Sequence, residues 1–343
     1  MNHVYLPLTR REWLARSANG FGAVALSAML AERSPAAALP VAKAKAVIFL
    51  YMDGGPSQVD TFDPKPALEK YHGQQPPSAG LKTERKTGGL FKSPFKFHKC
   101  GQSGVEVSEL FPKVGACIDD ICVIRGMHTD IPNHEPGLLL MTCGNTQPIR
   151  PSMGSWLLYG LGSENQNLPG FVVLCPGKPV VGPALWNNSF LPGAYQGCHI
   201  ASLDPAKAID HIRNRHVTAG TQREQLDLLN GLNRAHAAQR AGDDQLDARI
   251  QSLEMAFRMQ TEATDAFDVS REPAKVRDEY GKGYFADACL TARRLVERGV
   301  RTVQVFYGGG QPWDDHGDIE KVHQGRGCSA SGRPPVWKRP GGL

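Results

Sequence analysis

Continuous apolar runs mark the strands of this chain. Residues 46–52 form one such run, and it ends in the turn residues Asp53-Gly54-Gly55-Pro56. A run of this kind predicts a buried, central strand of a parallel sheet, with a loop at its carboxyl end. Shorter runs predict further strands at residues 121–125, 170–174 and 300–307.

Apolar residues at helical spacing separate these runs. They predict helices over residues 107–118, 153–161 and 284–298, a helix that starts within residues 128–136 and runs to about Cys143, and a helical pair within residues 221–260. The pair is broken near Gly242, where Asp243 or Asp244 can cap the second helix. Residues 73–104 and 176–200 are predicted to be irregular. Strands that alternate with helices in this way predict an α/β fold with a largely parallel sheet flanked by helices.

The candidate chemistry lies in polar loops that follow three of the predicted strands. These loops carry Asp53, a cluster over residues 128–135, and Asp314-Asp315-His316. Because the functional crevice of an open α/β sheet lies at the carboxyl ends of its strands, neighbouring strands would bring carboxylates and imidazoles together there. Such donors suit zinc, manganese or another divalent metal. A metal of this kind would polarise a phosphoryl or sulfuryl oxygen and could activate water.

Each of these groups also has a purely structural interpretation. Asp53 before two glycines is typical of a turn, and His134 could simply cap a helix. Ser57 could contact an anion or only shape the turn. His323 is a fainter candidate, and histidines without acidic or cysteine neighbours are interpreted as surface or core residues.

Composition narrows the class of protein. The chain is 41% hydrophobic and 21% charged, which is typical of a globular protein and not of a disordered or fibrous one. The net charge is +5, but the Lys and Arg residues are scattered, so nucleic-acid binding is not favoured. Beyond the N-terminus no apolar run is long enough for an uninterrupted membrane span. The eight cysteines are widely spaced and are interpreted mostly as buried free thiols, with one or two disulfides left open.

The N-terminal residues have the pattern of an export signal. Arg10-Arg11 precedes a moderately apolar stretch at residues 21–30, and small residues follow at 35–38. This order predicts a twin-arginine signal peptide over residues 1–38, with the twin-arginine translocase as a partner and a periplasmic or extracellular location. The alternative is an amphipathic helix with a chance arginine pair.

Several motifs together resemble one bacterial family. They are the segments at residues 47–65, 127–130, 133–136, 150–156, 167–172, 256–260, 292–300 and 313–316. These segments resemble the domain-of-unknown-function 1501 family, which is placed in the alkaline phosphatase and sulfatase superfamily. Members typically carry a twin-arginine signal, which fits the prediction for residues 1–38.

The resemblance implies a metal-dependent hydrolase of phosphate or sulfate esters, with zinc, calcium or manganese as the metal and a small-molecule or glycan ester as substrate. It implies an alkaline-phosphatase-like fold in which Asp53 is the first metal ligand, with Asp314 and His316 as a later ligand pair. The nucleophile is expected at a helix start after Ile124. No Ser or Cys stands at the expected position, and Thr129, Asn133 and His134 are the nearest candidates.

The composition of the chain changes after Gln324. Residues 325–343 are rich in Gly, Arg and Pro and lack periodicity, which predicts an out-of-frame reading or a natural flexible tail. The resemblance is expected to stop there, leaving a partial, C-terminally truncated domain at residues 45–324. Later segments of the family that look like further metal ligands are missing. A site made only of Asp53, Asp314 and His316 would bind metal weakly, so the chain is expected to be inactive.

Two functions therefore compete. The first is an exported, metal-dependent ester hydrolase, and the second is a non-catalytic exported protein that binds sulfated or phosphorylated glycans. The Asp314/His316 pair favours the first, and the missing nucleophile favours the second. An oxidoreductase has little support, because Asp53-Gly54-Gly55 is not a dinucleotide-binding fingerprint.

Overall fold

The computed structural model describes residues 44–76, 88–129, 131–205, 207–208, 216–240 and 244–330. Its strands are β1 (Val47–Tyr51), β2 (Phe97–Cys100), β3 (Val105–Ser108), β4 (Phe171–Leu174), β5 (Cys198–Ile200) and β6 (Thr302–Phe306). Its α-helices are α1 (Pro66–Lys70), α2 (Pro112–Gly115), α3 (His134–Cys143), α4 (Met153–Leu161), α5 (Ala219–Ala238), α6 (Asp244–Phe267), α7 (Ala274–Tyr280), α8 (Tyr284–Glu297) and α9 (Ile319–Ala330). Short 3-10 helices lie at Gln58–Asp60, Ile118–Asp120, Gly182–Trp186, Gly193–Tyr195 and Val269–Arg271.

A four-stranded parallel sheet in the order β1-β6-β4-β5 organises the described residues. Strand β6 pairs with β1 from Val47 opposite Thr302 to Tyr51 opposite Phe306. The predicted α/β class with a largely parallel sheet is therefore confirmed. The prediction that β1 is central is wrong: β1 lies at the edge of this sheet and its residues are only half-buried.

Helices cover both faces of the sheet, because side chains alternate along its strands. On one face Val303 and Val305 of β6 pack with Leu295 of α8 in the largest apolar cluster. On the other face Phe306 packs in a second cluster, with residues of α3 and α4 such as Leu158. Because β1 and β6 are parallel, their carboxyl ends lie on the same side of the sheet, and the candidate residues follow these ends.

Other predicted elements have a different structure. Residues 121–125 form no strand; Ile124 is 71% exposed, and only Val123 packs against an apolar cluster. The predicted helix at 107–118 is instead the end of the β2–β3 hairpin followed by α2, because Pro112 fits only the first turn of a helix. The segments expected to be irregular contain β2 and β5.

Helix predictions were more accurate. The bounds of α4 match the prediction. Helix α3 starts at His134, within the predicted range, and ends at Cys143 as predicted, and α8 ends one residue before the predicted position. The helical pair corresponds to α5 and α6, and α6 begins at Asp244; the alternative cap, Asp243, lies outside the described residues. Helix α9 continues to Ala330, so the first residues of the predicted tail are helical, whereas residues 331–343 and the predicted signal at 1–38 lie outside the description.

The described residues also bear on the cysteines and on the membrane. Seven cysteines there are free thiols, of which Cys143, Cys175 and Cys289 are buried. For that part of the chain the prediction of free thiols is confirmed, but the prediction that most are buried is wrong, since Cys122 is exposed and the other three are only half-buried. No helix in the described ranges combines the length and the apolar character needed to span a bilayer.

A pair of glycines in α4 tests the packing of this helix on the sheet. A Cβ at Gly154 would lie 2.4 Å from the ring of Phe171 on β4, whereas a Cβ at Gly160 would meet nothing. We expect Gly154→Ala to lower the free energy of unfolding by about 1–3 kcal/mol through overpacking. The control Gly160→Ala should raise it by about 0.5–1 kcal/mol, as is usual for Gly to Ala in a helix. Urea denaturation of both variants measures this. Equal changes in the free energy of unfolding would contradict the close packing of Gly154 on Phe171.

Candidate functional site

The site is built from the loops that follow β1 and β6. The backbone of β6 stays paired with β1 beyond the strands, since the Tyr307 N–H donates to the carbonyl of Tyr51 at 2.9 Å. Residues 308–312 then leave the ladder, and the chain returns where the Trp313 N–H donates to the carbonyl of Asp53 at 2.9 Å. Asp53 and Asp314 are thus brought to the same edge of the sheet, as the positions of the predicted strands implied.

Gly54 allows this close approach of the two loops. Its φ is +92°, a conformation that side chains disfavour. A Cβ at this position would lie only 2.4 Å from the backbone nitrogen of Asp314. The turn after β1 therefore needs a glycine, both for its backbone conformation and for the space beside the second loop.

Asp53 is the most unusual polar residue of the site. It is 0% exposed, and neither carboxylate oxygen has a hydrogen-bond partner. Burial raises the pKa of Asp53 to about 6, and the nearby N–H of Gly54 and charge of His134 offset only part of this rise. A buried carboxylate without partners is costly unless a positive charge compensates it.

Asp314 holds two imidazoles. Its Oδ2 lies 2.9 Å from Nε2 of His316 and 3.2 Å from Nε2 of His134, the first residue of α3. Both rings are substantially exposed, with 59% and 41% of their side chains accessible. The structure thus joins the predicted ligand pair Asp314/His316 to His134, which the sequence had suggested as a catalytic residue.

The donor set fits a transition-metal ion by its chemistry. Carboxylate and imidazole ligands suit zinc or manganese, whereas calcium prefers oxygen ligands alone. The buried oxygens of Asp53 lack any partner, as expected of a ligand. However, no group of three or more potential ligands among the described residues is arranged to hold an ion. Ligation by Asp53, Asp314 and His316 together would therefore require side-chain rotation, beginning with the histidines that now contact Asp314.

The other two catalytic candidates are not drawn into this cluster. Thr129 lies in an exposed loop, where its Oγ1 accepts a hydrogen bond from the N–H of Ile131 at 3.2 Å. Asn133 is the N-cap residue of α3, but its side chain makes no capping bond. The start of α3 is also a poor anion site, since Pro136 has no N–H and Glu135 is acidic.

A buried pair beside the site was largely missed from the sequence. Asp315 had been grouped with its neighbours and His323 was only a faint candidate, yet Oδ2 of Asp315 lies 2.8 Å from Nδ1 of His323. The N–H of Ser57 faces the other nitrogen of this ring, Nε2, at 3.4 Å, which assigns Ser57 a contact with His323. The spacing of Ile319, Val322 and His323 on one face of α9 was the signal that this histidine turns inward.

Comparison with protein families supports the resemblance of the motifs. A family model described as "Protein of unknown function (DUF1501)" matches residues 44–332. The chain belongs to this family. The match to DUF1501 includes all the site residues and extends past Gln324, where the resemblance was expected to stop. Comparison with curated proteins gives no match, and comparison with solved structures gives none either.

Proposed function

We propose that this DUF1501 protein is an exported, divalent-cation-dependent hydrolase of phosphate or sulfate esters, with a fold of the alkaline phosphatase and sulfatase kind. Asp53, Asp314 and His316 are the proposed ligands, with zinc or manganese as the cation. The observation that carries the proposal is Asp53, a fully buried carboxylate with both oxygens unpartnered beside a second carboxylate loop. The twin-arginine pattern at residues 1–38 supports the exported location.

A bound cation at these residues would polarise the ester and lower the pKa of water. In the hydrolysis, a water oxygen would form a bond to phosphorus or sulfur and release a proton to the solvent, the bond to the ester oxygen would break, and the departing alcohol would take up a proton. His134 is suited to supply that proton, because its ring is partly exposed and Asp314 orients it at 3.2 Å. This role needs no hydroxyl nucleophile, in agreement with the position of Thr129 outside the cluster.

The test combines cation binding with hydrolysis. The 343-residue chain is stripped with a chelator, loaded with Zn²⁺ or Mn²⁺, and assayed on p-nitrophenyl phosphate and p-nitrocatechol sulfate. We expect slow, cation-dependent hydrolysis, because the donors are partly engaged with one another. His134→Asn should lower kcat by about 10²-fold or more and leave the bound cation in place, as expected for loss of a general acid.

Asp314→Asn should reduce both cation content and hydrolysis. The matched control is Asp227→Asn, an exposed carboxylate on α5 that should change neither. The proposal is refuted if Asp314→Asn binds as much cation as the unmodified chain, or if the chelator does not affect hydrolysis. Hydrolysis by the loaded chain would also refute the expectation, drawn from the sequence, that the chain is inactive.

The second candidate function is binding of sulfated or phosphorylated glycans without turnover. It is favoured by the lack of a Ser or Cys at the expected nucleophile position and by the engagement of the Thr129 hydroxyl with the N–H of Ile131. Cation-dependent retention on a heparin column, combined with no hydrolysis of either ester, would support this alternative over the hydrolase.

A further inference from the structure

The Asp315–His323 pair is deeply buried beside the proposed cation site. Only 7% of the Asp315 side chain and 2% of the His323 side chain are accessible, and Oδ2 of Asp315 lies 2.8 Å from Nδ1 of His323. Removing a carboxylate and an imidazole from water is expensive, and such pairs seldom add much net stability. Their value lies in fixing geometry, because few other arrangements can satisfy both groups.

The orientation of the His323 ring follows from its neighbours. The N–H of Ser57 donates toward Nε2 at 3.4 Å, so this nitrogen is an acceptor and carries no proton. The ring proton of the neutral imidazole is then on Nδ1, facing the carboxylate of Asp315. One ring therefore links helix α9, the loop after β6 and the loop after β1, although Ser57 and His323 are 266 positions apart in sequence.

Trp313 completes this link. Its indole is 2% exposed and packs edge-on against the His323 ring at a centroid distance of 5.5 Å. Its backbone N–H donates to the carbonyl of Asp53. A movement of His323 would thus displace both loops next to the proposed ligands Asp53 and Asp314.

We propose that the Asp315–His323 pair is the positioning element of the site: it clamps the loop after β1 to the loop after β6 and so fixes the position of Asp53 relative to Asp314. His323 acts through the loops and is not itself a ligand. In naming the residues that organise the site, this inference rests on the proposed function.

The test uses three variants of the full chain. His323→Leu removes the clamp, whereas His323→Gln keeps an acceptor for Ser57 and a donor for Asp315. His199→Leu is the matched control, because His199 is a half-buried histidine that stacks on Trp186 and contacts the carbonyl of Cys175 at 3.1 Å, away from α9. Mn²⁺ affinity is measured by calorimetry, and amide hydrogen exchange is followed in peptides covering residues 52–57 and 311–316.

We expect His323→Leu to weaken Mn²⁺ binding by about 10–100-fold, the usual effect of losing a group that orients ligands. It should also speed amide exchange in both loops but not in β4. His323→Gln should recover most of both properties, and His199→Leu should leave the affinity and the loop exchange unchanged. If His323→Leu does not fold, Asp315→Asn serves in its place, with smaller shifts in the same direction.

The results separate this inference from the proposed function. Unchanged affinity and unchanged loop exchange in His323→Leu would overturn the clamp. Failure of His323→Gln to restore affinity while it restores loop exchange would also overturn it, because His323 would then be a ligand. If the unmodified chain binds no Mn²⁺, the proposed function fails, and loop exchange alone decides the clamp.

Discussion

Asp53→Asn should raise the free energy of unfolding of the cation-free chain by about 1–3 kcal/mol near pH 8. The reason is the burial that raises the pKa of Asp53 from 3.8 to about 6. A raised pKa means that the folded chain favours the protonated acid, so ionisation of Asp53 above its folded pKa destabilises the fold. Asparagine has nearly the same shape and never ionises, and it therefore relieves this cost.

The destabilisation caused by Asp53 should depend on pH. Below about pH 4 the carboxyl is protonated in both the folded and unfolded chain, so Asp53 costs nothing there. Its cost develops as the pH rises from about 4 to 6, and it is fully present above this range. Urea denaturation in the presence of a chelator, at several pH values, measures this. The free energy of unfolding of the unmodified chain should fall as the pH rises, relative to that of Asp53→Asn.

Added Zn²⁺ or Mn²⁺ should make the unmodified chain more stable than Asp53→Asn. The cation stabilises the chain that binds it, so the unmodified chain should gain stability near pH 8 and Asp53→Asn should not. Asp227→Asn on α5 serves as the control and should behave like the unmodified chain in both conditions. A variant that is less stable than the unmodified chain in chelator would show that the Asp53 carboxylate has a partner of its own in the cation-free fold.

Gly54→Ala should have an even larger effect on stability, a loss of about 3–5 kcal/mol, because two costs add. The φ of +92° disfavours any side chain, and the new Cβ would lie 2.4 Å from backbone that cannot move aside without shifting Asp314. The same variant should lose cation binding, since the two loops separate. Urea denaturation and Mn²⁺ calorimetry measure the two losses.

The neighbouring Gly55 provides the control. It also has a positive φ, +71°, but a Cβ there would meet nothing within 4 Å. Gly55→Ala should therefore cost only about 1–2 kcal/mol from the backbone conformation and leave cation binding intact. Equal losses in both variants would mean that the contact between the loops is not what makes Gly54 necessary.

The sequence predicted the location of the site for a definite reason. Asp53 and Asp314 each follow an apolar run, and parallel strands end on the same side of a sheet. The adjacency of β1 and β6 was not predictable, because strand pairing is decided by contacts far apart in sequence. For the same reason the sequence predicts β1 as central and residues 121–125 as a strand, whereas among the described residues this segment pairs with no strand.

Side-chain pairing was harder still to predict. Nothing in the local sequence distinguishes Asp315, which turns toward His323, from Asp314, which contacts His134 and His316. The choice depends on where α9 and α3 pack, and that is known only once the sheet has formed. Thr129 stays a prediction: it lies in an exposed loop, where its Oγ1 accepts a hydrogen bond from the N–H of Ile131.

The pairing of β1 with β6 has a consequence for how the protein is made. A ribosome releases β1 first, and β6, the strand that pairs with it, emerges about 250 residues later. During this interval the apolar segment of β1 has an open edge and is a target for aggregation, so a holding chaperone would be useful. The loops after β1 and β6 meet only when β6 has been synthesised, so under the proposed function a nascent chain that lacks β6 should bind no cation.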